Sequence, residues 1–590
     1  MNLKFKINLP KTLQGLFSIL RRAGGGLRFL PRFNSRILPK YLETFKKRDL
    51  MAIIILLVLT LSSGLLLASD SMNSPGDNAP DYGGEYVEGI VGQPRFINPI
   101  LAPASSVDSD LSRIAYAQLL KFDKDLKLVP DLAESLPTVS PDQKVYTIKL
   151  KPNLKWQDKK PLLADDIIFT IETIQNSEYE SPLRGNFSRV KAEKVDDLTV
   201  TFTLREVSAS FITNFTLGIL PKHIWEGLPP TNFRLADQNL KAVGSGPFSV
   251  REIKKTADGT IKSIVFKASG NYHFGRAWIE RITFKFYPDY DGLLNAYQSK
   301  EIQGIGYLPF DKKLFLEDSE KHNQYQLGLP QYQAVFFNLP KNPVLADKAV
   351  RQALWLASDR KSIIEQVYSG YAKEAYGPIL EGNLGYSPKV KEATHNNLSE
   401  AAAILDKGGW VMDPAAGLRI KNKRPFEFNL VTNDFVLNVK TAQMLQSQWS
   451  ALGANVHLVI VSAAELQTNY IRTRNFDALL FAENTGADPD PFPFWHSSQA
   501  RDPGLNLSGF ANADVDKLLL AARQTNDVNV RAANYQQFQT IVLDAIPAVF
   551  VDSAVFVYNL PKKIKGFEQT TIIHPSERFS DVNKWYIETR

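Results

Sequence analysis

Cysteine is absent from this chain of 590 residues. Its absence excludes disulfide bonds, thiolate nucleophiles, Cys-ligated metal sites and a lipid anchor attached through cysteine. Histidine is scarce as well, because the seven His residues are scattered and no close pair has the spacing of metal ligands. We therefore predict that the protein holds neither a metal ion nor a cofactor.

Common catalytic motifs are missing too. The sequence has no G-x-S-x-G, H-E-x-x-H or G-x-x-x-x-G-K-[ST] pattern, which argues against serine hydrolases, zinc proteases and P-loop enzymes. Asp488 and Asp490 stand in an Asp-Pro-Asp-Pro sequence, which is more typical of a rigid turn than of the paired acids of a glycosidase. We predict that the protein is not an enzyme.

The excess of positive charge is confined to the N-terminus. Of the 69 Lys and Arg and 62 Asp and Glu residues, residues 1–50 hold twelve basic and two acidic ones. The remainder has a net charge of −3, so its composition does not predict nucleic acid binding. Apolar residues at helical spacing leave two alternatives for this basic cytoplasmic arm: interfacial helices on an anionic inner leaflet, or a partly disordered tail.

Residues 51–68 form an uncharged apolar run, MAIIILLVLTLSSGLLLA. At about 1.5 Å per residue such a helix is roughly 27 Å long, enough to cross the core of a bilayer. Lys46, Lys47 and Arg48 precede the run, so the positive-inside rule predicts a cytoplasmic N-terminus and a body outside the cytoplasm. The alternative is a signal peptide cleaved near Ser69, although the basic arm is longer than an ordinary n-region.

A mixed pattern of strands and helices fills the rest of the chain. Residues 69–84 are polar and rich in Gly and Pro, which predicts a flexible linker. Apolar residues with partial or full alternation predict strands at 85–92, 145–150, 198–204 and 454–461. Apolar residues at helical spacing predict helices at 164–175, 349–370 and 439–453. Together these patterns predict an α/β architecture of several lobes.

Specific motifs recur in order along the body: PDLAESLP followed by KWQDKKPLLADD (within 130–174), GSGPFSV (244–250), NYHFGRAWIERITFKFYPD (271–289), VFFNLPKNPVLADKAVRQALWLASDRKSII (335–364), ILDKGGW (404–410), FDALLFAENTGADPDPFPFWHS (476–497) and IPAVFVDSAVFVY (546–558). In this order and at these distances they resemble the extracellular solute-binding proteins of family 5, which include the oligopeptide- and dipeptide-binding proteins of ABC importers. One departure is Lys159, where the family has glycine.

The resemblance implies a periplasmic-binding-protein type II clamshell with an extra small α/β domain. It divides the body into lobe I (85–125, 223–330 and 555–590), the added domain (126–222) and lobe II (331–554). A peptide would bind in the cleft by pairing its main chain with strand edges, and hinge closure would bury it for delivery to an ABC permease. Alternatives are another solute (an oligosaccharide, a nickel complex or an opine) or a ligand-sensing receptor. We expect the protein to act as a monomer.

The resemblance also suggests residues that contact the ligand. Asp488 or Asp490 would pair with the α-ammonium of a peptide, or else both are elements of a rigid turn. The position of the amine-binding acid of the dipeptide-binding protein is occupied here by Thr485.

Three further groups are candidates, each with a structural alternative. They are the turn of Gly244, Ser245 and Gly246, which would present its backbone; Asn271 and Tyr272, which would line the cleft; and Arg472 or Arg474, which would pair with a ligand carboxylate unless solvated at the surface.

Overall fold

The computed structural model describes residues 79–309, 322–392 and 396–589, together with Thr60. Among these residues, no helix combines the length and the apolar character needed to cross a bilayer. The predicted basic arm, the apolar run 51–68 apart from Thr60, and most of the predicted linker lie outside the described residues.

Within the described residues, sixteen of the 23 strands form the two largest sheets. In chain order they are β1 (Gly83–Val91), β2 (Thr138–Val139), β3 (Val145–Lys149), β4 (Val190–Asp196), β5 (Thr199–Leu204), β6 (Phe248–Lys255), β7 (Ile261–Ala268), β8 (Ile279–Tyr287), β9 (Gly304–Ile305), β10 (His322–Gly328), β11 (Gln331–Phe337), β12 (Ala372–Glu374), β13 (Glu427–Asn433), β14 (Asn455–Val461), β15 (Ala478–Asn484) and β16 (Ala548–Pro561).

Nine α-helices of nine or more residues lie in the same described ranges. They are α1 (Ser106–Ala115), α2 (Ala164–Gln175), α3 (Tyr290–Gln298), α4 (Lys348–Ala357), α5 (Arg360–Tyr368), α6 (Leu398–Lys407), α7 (Val436–Ser450), α8 (Ala513–Arg523) and α9 (Val528–Ala545).

The larger sheet runs in the order β14-β13-β15-β11-β16-β9-β1-β8-β7-β6, and β10 and β12 also pair with β16. It is mixed, because β13 pairs in parallel with β14 and β15, while β11, β10 and β12 are antiparallel to β16. The α/β class predicted from the sequence is confirmed.

One strand, β16, serves both halves of this sheet. Its first part, residues 548–552, pairs with β11, and its second part, residues 555–561, pairs with β10. The strands β10 and β11 follow each other in the chain and are separated only by Leu329 and Pro330. The chain therefore passes between the two halves of the sheet at two places, once between β10 and β11 and once within β16, and these places lie side by side. We call residues 328–331 and 552–555 the hinge.

The hydrophobic core is divided at the same place. One cluster of buried side chains draws only on residues 86–286, 327 and 556–585, and two others draw on residues 332–551. In β11 the side chains alternate between the latter two clusters: Val335 and Phe337 belong to one, and Tyr332, Ala334 and Phe336 to the other. The sheet of lobe II is therefore covered on both faces, which explains its nearly continuous apolar strands.

The added domain holds the smaller sheet, an antiparallel one in the order β2-β3-β5-β4. Helix α2 packs its Ile167, Ile171 and Ile174 into the same cluster as the core of lobe I. The predicted helix 164–175 and the predicted strands at 145–150 and 198–204 are confirmed to within one residue. The buried hydrophobic side chains of residues 126–222, the predicted added domain, thus share one cluster with those of the predicted lobe I.

The predicted helix 349–370 is wrong as a single helix, because the structure has two helices with a break at Ser358 and Asp359. The Ser358 hydroxyl donates to the Leu354 carbonyl at 2.7 Å, and the Asp359 carboxylate accepts from the Ser362 backbone N–H at 3.1 Å. A side chain that caps a new helix competes with continuation of the old one. The helical pattern of apolar residues continued across this break and concealed it.

A buried carboxyl group, that of Asp552, lies in the hinge. Asp552 is 1% exposed and stands opposite Gln333 of β11 and Glu374 of β12. Burial raises the pKa of this carboxyl to about 7, and a hydrogen bond with the Tyr368 hydroxyl opposes that increase. The group is therefore protonated in the folded protein below neutral pH.

We expect this group to make stability depend on pH. The ordinary pKa of Asp is 3.8, so as pH rises the unfolded chain loses this proton first, and the free energy of unfolding falls between about pH 4 and pH 7. Asp552→Asn cannot ionise. Relative to the natural protein its free energy of unfolding should therefore rise by about 2 kcal/mol between pH 5 and pH 7, measured by urea unfolding.

The exposed Asp544 provides the control, since its side chain is 80% exposed and Asp544→Asn should leave the pH profile unchanged. Parallel profiles for Asp552→Asn and the natural protein would contradict the role given to Asp552.

Candidate functional site

A cavity of about 500 Å³ lies where lobe I, the added domain and lobe II meet. Lobe I contributes residues within 99–122 and 573–577, the added domain contributes residues within 183–187 and 213–218, and lobe II contributes Gly486 and Ala487. The volume falls in the usual range for sites that enclose small molecules. We take this cavity as the candidate site.

Helix α1 and the residue after it form one wall of the cavity. The residues that line it recur every three or four positions and are mostly polar: Ser106, Ser109, Ser112, Arg113 and Tyr116. The opposite side of the helix, including Val107, Leu111 and Ile114, is buried in the core. The helix is therefore amphipathic, with its polar stripe turned to the cavity. Ser105 caps its N-terminus through the Asp108 N–H.

Two charged side chains of this wall face each other. An Nη atom of Arg113 lies 3.4 Å from Glu577 Oε1, and the other Nη donates to Gln118 Oε1 at 2.5 Å. The second oxygen of Glu577 accepts from the Ile573 N–H at 2.7 Å. The neighbouring His574 has an exposed side chain, and its partial desolvation lowers the pKa of the imidazole while Glu577 opposes that decrease. At neutral pH the wall thus carries one positive and one negative group.

Tyr116 lines the cavity, and its hydroxyl group is buried without a hydrogen-bond partner among the described residues. The residue is 2% exposed. Burial raises the pKa of this phenol, so the group is neutral and can donate. A buried polar group without a partner costs about 1–3 kcal/mol, which a polar ligand atom would relieve.

A second set of buried charges holds this wall in place from behind. The guanidinium of Arg578, fully buried, donates to both oxygens of Asp110 on α1 at 2.8 and 2.7 Å and to Glu88 on β1 at 2.6 Å. The hydroxyls of Tyr86 and Tyr558 also donate to Glu88, each at 2.6 Å. This network joins α1, β1, β16 and the segment 575–579, so it fixes Arg113 and Glu577 relative to each other.

Lobe II meets the cavity mainly through its backbone. Gly486 adopts a φ of 70°, a conformation that glycine tolerates best, and Ala487 follows it. The preceding Thr485 is tied to the hinge, because its backbone N–H and its hydroxyl both donate to the Pro330 carbonyl, at 2.8 and 2.9 Å. The lip of the cavity on lobe II is therefore attached to the hinge.

Asp488 and Asp490 are held in ion pairs. Asp488 pairs with Arg531, whose side chain is 7% exposed, and Asp490 lies 2.7 Å from Arg523, whose side chain is 37% exposed. Asp490 also accepts from the Phe492 N–H at 3.1 Å. Asp488 directly follows the cavity residue Ala487, but its carboxylate is directed to α9. Both partners belong to lobe II, as the turn interpretation expects.

The predicted turn of Gly244, Ser245 and Gly246 packs against the end of α1. A Cβ atom on Gly244 would lie 1.9 Å from the Ala115 carbonyl oxygen. The Gly246 N–H donates to that oxygen at 2.8 Å, and the Ser245 hydroxyl accepts from the Ala117 N–H at 3.1 Å. The glycines therefore permit a close approach of two backbones and support the wall that carries Arg113.

The other candidates also have structural partners. Asn271 donates to the Trp156 carbonyl at 3.1 Å, and Tyr272 is buried and shares a small cavity of about 20 Å³ with Arg113 and Tyr116. Arg474 donates to the carbonyls of Ala500, at 3.2 Å, and Gly504, at 2.6 Å. Arg472 is exposed. None of the ten predicted residues is among the described residues that line the cavity of the candidate site.

The residues of the lobe I wall were missed by sequence reasoning. Their signal was the spacing of Ser106, Ser109, Ser112 and Tyr116, a polar stripe at helical period in a segment that also carries the apolar Val107, Leu111 and Ile114. Glu577 and His574 carried no local signal, because they are brought to the site by the network around Arg578. Within the described residues, no three His, Asp or Glu side chains are grouped as metal ligands.

Comparison with known proteins gives a consistent result. Residues 127–504 match the bacterial extracellular solute-binding proteins, family 5, middle part. The chain is 28% identical over 555 residues to the oligopeptide-binding protein AppA of Bacillus subtilis, covering 92% of this chain and 99% of that protein. The structure of AppA in complex with a nonapeptide is similar, with 27% identity, a TM-score of 0.63 and coverage of 86% of this chain and 100% of that chain.

Two further structures share the fold. The ABC transporter substrate-binding protein CtaP of Listeria monocytogenes is 28% identical with a TM-score of 0.72, covering 86% of this chain and 100% of that chain. NikZ of Campylobacter jejuni, in complex with Ni(L-His), is 25% identical with a TM-score of 0.65, covering 85% and 99%. The periplasmic-binding-protein type of fold that the resemblance implied is therefore confirmed for the described body.

The ion pair of Asp488 gives a direct test of its role. Asp488→Asn takes the carboxylate away from a buried guanidinium, so the free energy of unfolding should fall by about 2–3 kcal/mol, measured by urea unfolding. The matched variant Asp490→Asn faces a more exposed arginine and should cost about 0–1 kcal/mol. Unchanged stability for Asp488→Asn would contradict the structural role and leave ligand contact as its function.

Proposed function

Because the chain belongs to the family 5 extracellular solute-binding proteins of bacteria, we propose that it is the substrate-binding protein of an ABC-type importer. It captures peptides in the cavity between its lobes and delivers them to a permease in the membrane. The observation that carries this proposal is the cavity itself, which is walled by both lobes and the added domain and lies beside a two-crossing hinge. Its action is binding, not catalysis.

The chemistry of the walls suits a short peptide. Hydroxyl and amide side chains alternate with apolar ones along the cavity wall, and the lobe II lip presents backbone rather than long side chains. Such a surface can hold a peptide through its main chain and through bridging waters, which makes few demands on the ligand side chains. Arg113 and Glu577 supply one group of each sign for a ligand that carries both charges.

The hinge supports capture by closure. In this class of protein, two lobes rotate about a few backbone residues and enclose the ligand between them. Within the described residues, the chain passes between the two lobes at residues 328–331 and 552–555. The division into lobe I, the added domain and lobe II remains our proposal, and the separation of the hydrophobic clusters at residues 327–332 and 551–556 supports its two lobe boundaries.

The location of the protein is a further part of the proposal. Residues 51–68 span the membrane once, residues 1–50 lie in the cytoplasm, and the linker 69–84 carries the binding body outside the cytoplasm. The uncharged run and the preceding basic residues support this arrangement. A tether of this kind raises the effective concentration of the binding protein near its permease.

Other cargo is the main alternative. NikZ, a similar structure, holds a nickel–histidine complex, so the cargo has to be identified by experiment rather than by family alone. An oligosaccharide, a nickel complex or an opine would keep the transport role, and a ligand-sensing receptor would replace it.

Native mass spectrometry of the purified full chain in detergent tests the proposal. A heterogeneous set of retained peptides is expected, and co-purified permease and ATPase subunits would place the protein in an importer. A single sugar or a single metal complex would overturn peptide binding.

A pair of variants then tests the cavity with a retained peptide. Tyr116→Phe removes the hydroxyl that points to no protein partner and should weaken binding about three- to tenfold, measured by calorimetry. Arg472→Met, at an exposed position, serves as the control and should bind like the natural protein. Equal affinity for Tyr116→Phe would show that the ligand occupies another site.

A further inference from the structure

The added domain touches lobe II directly, away from the hinge. The Asn526 backbone N–H donates to Gln143 Oε1 at 2.6 Å. The Tyr146 hydroxyl lies 3.4 Å from Asn526 Oδ1, to which it donates, and 3.3 Å from the Ser208 carbonyl oxygen. We call Gln143, Tyr146 and Asn526 the clasp.

The two sides of the clasp belong to different bodies. Tyr146 is 1% exposed and packs against Phe211 and Phe215 in the lobe I cluster. Asn526 lies in the turn between α8 and α9, which pack in lobe II. The 3₁₀ helix Ala209–Thr216 of the added domain also contacts α8. A rotation of lobe II away from lobe I would therefore have to break these contacts.

The segment that follows β15 runs from the hinge to the clasp along the cavity. Thr485 is bonded to Pro330 of the hinge, and Gly486 and Ala487 line the cavity. Asp488 then pairs with Arg531 in the first turns of α9, close to Asn526. The cavity thus lies between the hinge and the clasp, and opening at the clasp uncovers it.

The backbone conformation of Gln143 indicates that this residue does more than form the hairpin turn. Its φ is 59°, in the left-handed region where a residue with a Cβ is disfavoured and Gly or Asn fits better. The hairpin turn by itself would gain from glycine at this position. A strained residue persists where it serves another purpose, and here its side-chain oxygen is the acceptor for Asn526.

We propose that the clasp holds lobe II against the added domain and sets the rate at which a bound ligand escapes. Its three members are positioning residues, because they are not among the residues that line the cavity. They act on the equilibrium between open and closed forms, and ligand retention follows the population of the closed form. Through the clasp, the added domain helps to retain the bound ligand.

The first test measures the distance between the two bodies in the full chain without ligand. The natural protein has no cysteine, so spin labels attach only at an introduced pair, Val195→Cys and Val530→Cys, whose parent side chains are 61% and 47% exposed. Gln143→Gly should lower the ratio of short to long distances about fivefold, the effect of one hydrogen bond of ordinary strength. An unchanged distance distribution would overturn the clasp.

A matched control is available in the same domain. Asn153 is exposed and also has a φ of 59°, so Asn153→Gly makes the same backbone change without touching lobe II. It should leave the distances unchanged. A shift equal to that of Gln143→Gly would assign the effect to turn stability and overturn the proposal.

A second test rests on the proposed function and uses a peptide recovered from the natural protein. Gln143→Gly should raise the dissociation rate about fivefold with little change in the association rate, while the melting temperature stays equal or rises because glycine relieves the turn. Tyr146→Phe, which keeps the buried ring, should also raise the dissociation rate.

A lower melting temperature with an unchanged dissociation rate would mean that Gln143 has a structural role only. If the natural protein binds no peptide, the proposed function fails, and the distance measurement still decides on the clasp.

Discussion

The fourteen residues of β16 are shared between the two lobes. This shared strand determines the position of the hinge and of the cavity beside it. Its first part completes the sheet of lobe II through β11, and its second part completes the sheet of lobe I through β10. Pro330 lies between β10 and β11 and lacks an N–H, so the ladder is interrupted between the two halves. A rotation can take place at that interruption without disturbing either core, and the cavity opens beside it because Thr485 fastens the lobe II lip to the Pro330 carbonyl.

Charge is distributed unevenly around the cavity. Lobe I supplies Arg113 and Glu577, held by the buried network of Arg578, whereas the acids of lobe II nearest the cavity, Asp488 and Asp490, are already paired with arginines. Neither Asp488 nor Asp490 lines the cavity, whereas Arg113 and Glu577 do. We therefore propose that lobe I recognises the charge of the ligand and that lobe II covers the ligand with backbone.

The α/β class and many of the elements followed from local patterns, because alternating and helical spacing are determined by neighbours in the chain. Helix 164–175 is an example, with Ile167, Ile171 and Ile174 on its buried side. The break at Ser358 and Asp359 was missed, since side-chain capping competes with the helix only by a small free energy. The site was harder to predict than the fold, because Glu577 contacts Arg113 although 464 positions separate them in the sequence. No local pattern reports such a pairing, whereas the polar stripe of α1 was visible and went unused.

Lobe I is closed by residues from the two extremes of the described body. Pro80 and Asp81 pair with Glu588 and Thr589, and Arg578 reaches Glu88 across 490 positions. At a synthesis rate of about 5–20 residues per second, roughly half a minute to a minute and a half separates the appearance of Glu88 from that of Arg578. During that interval Glu88 and Asp110 lack their guanidinium, and the core of lobe I cannot close around them. The location proposed above requires the body to cross a membrane, and this order keeps lobe I open until Arg578 has been made.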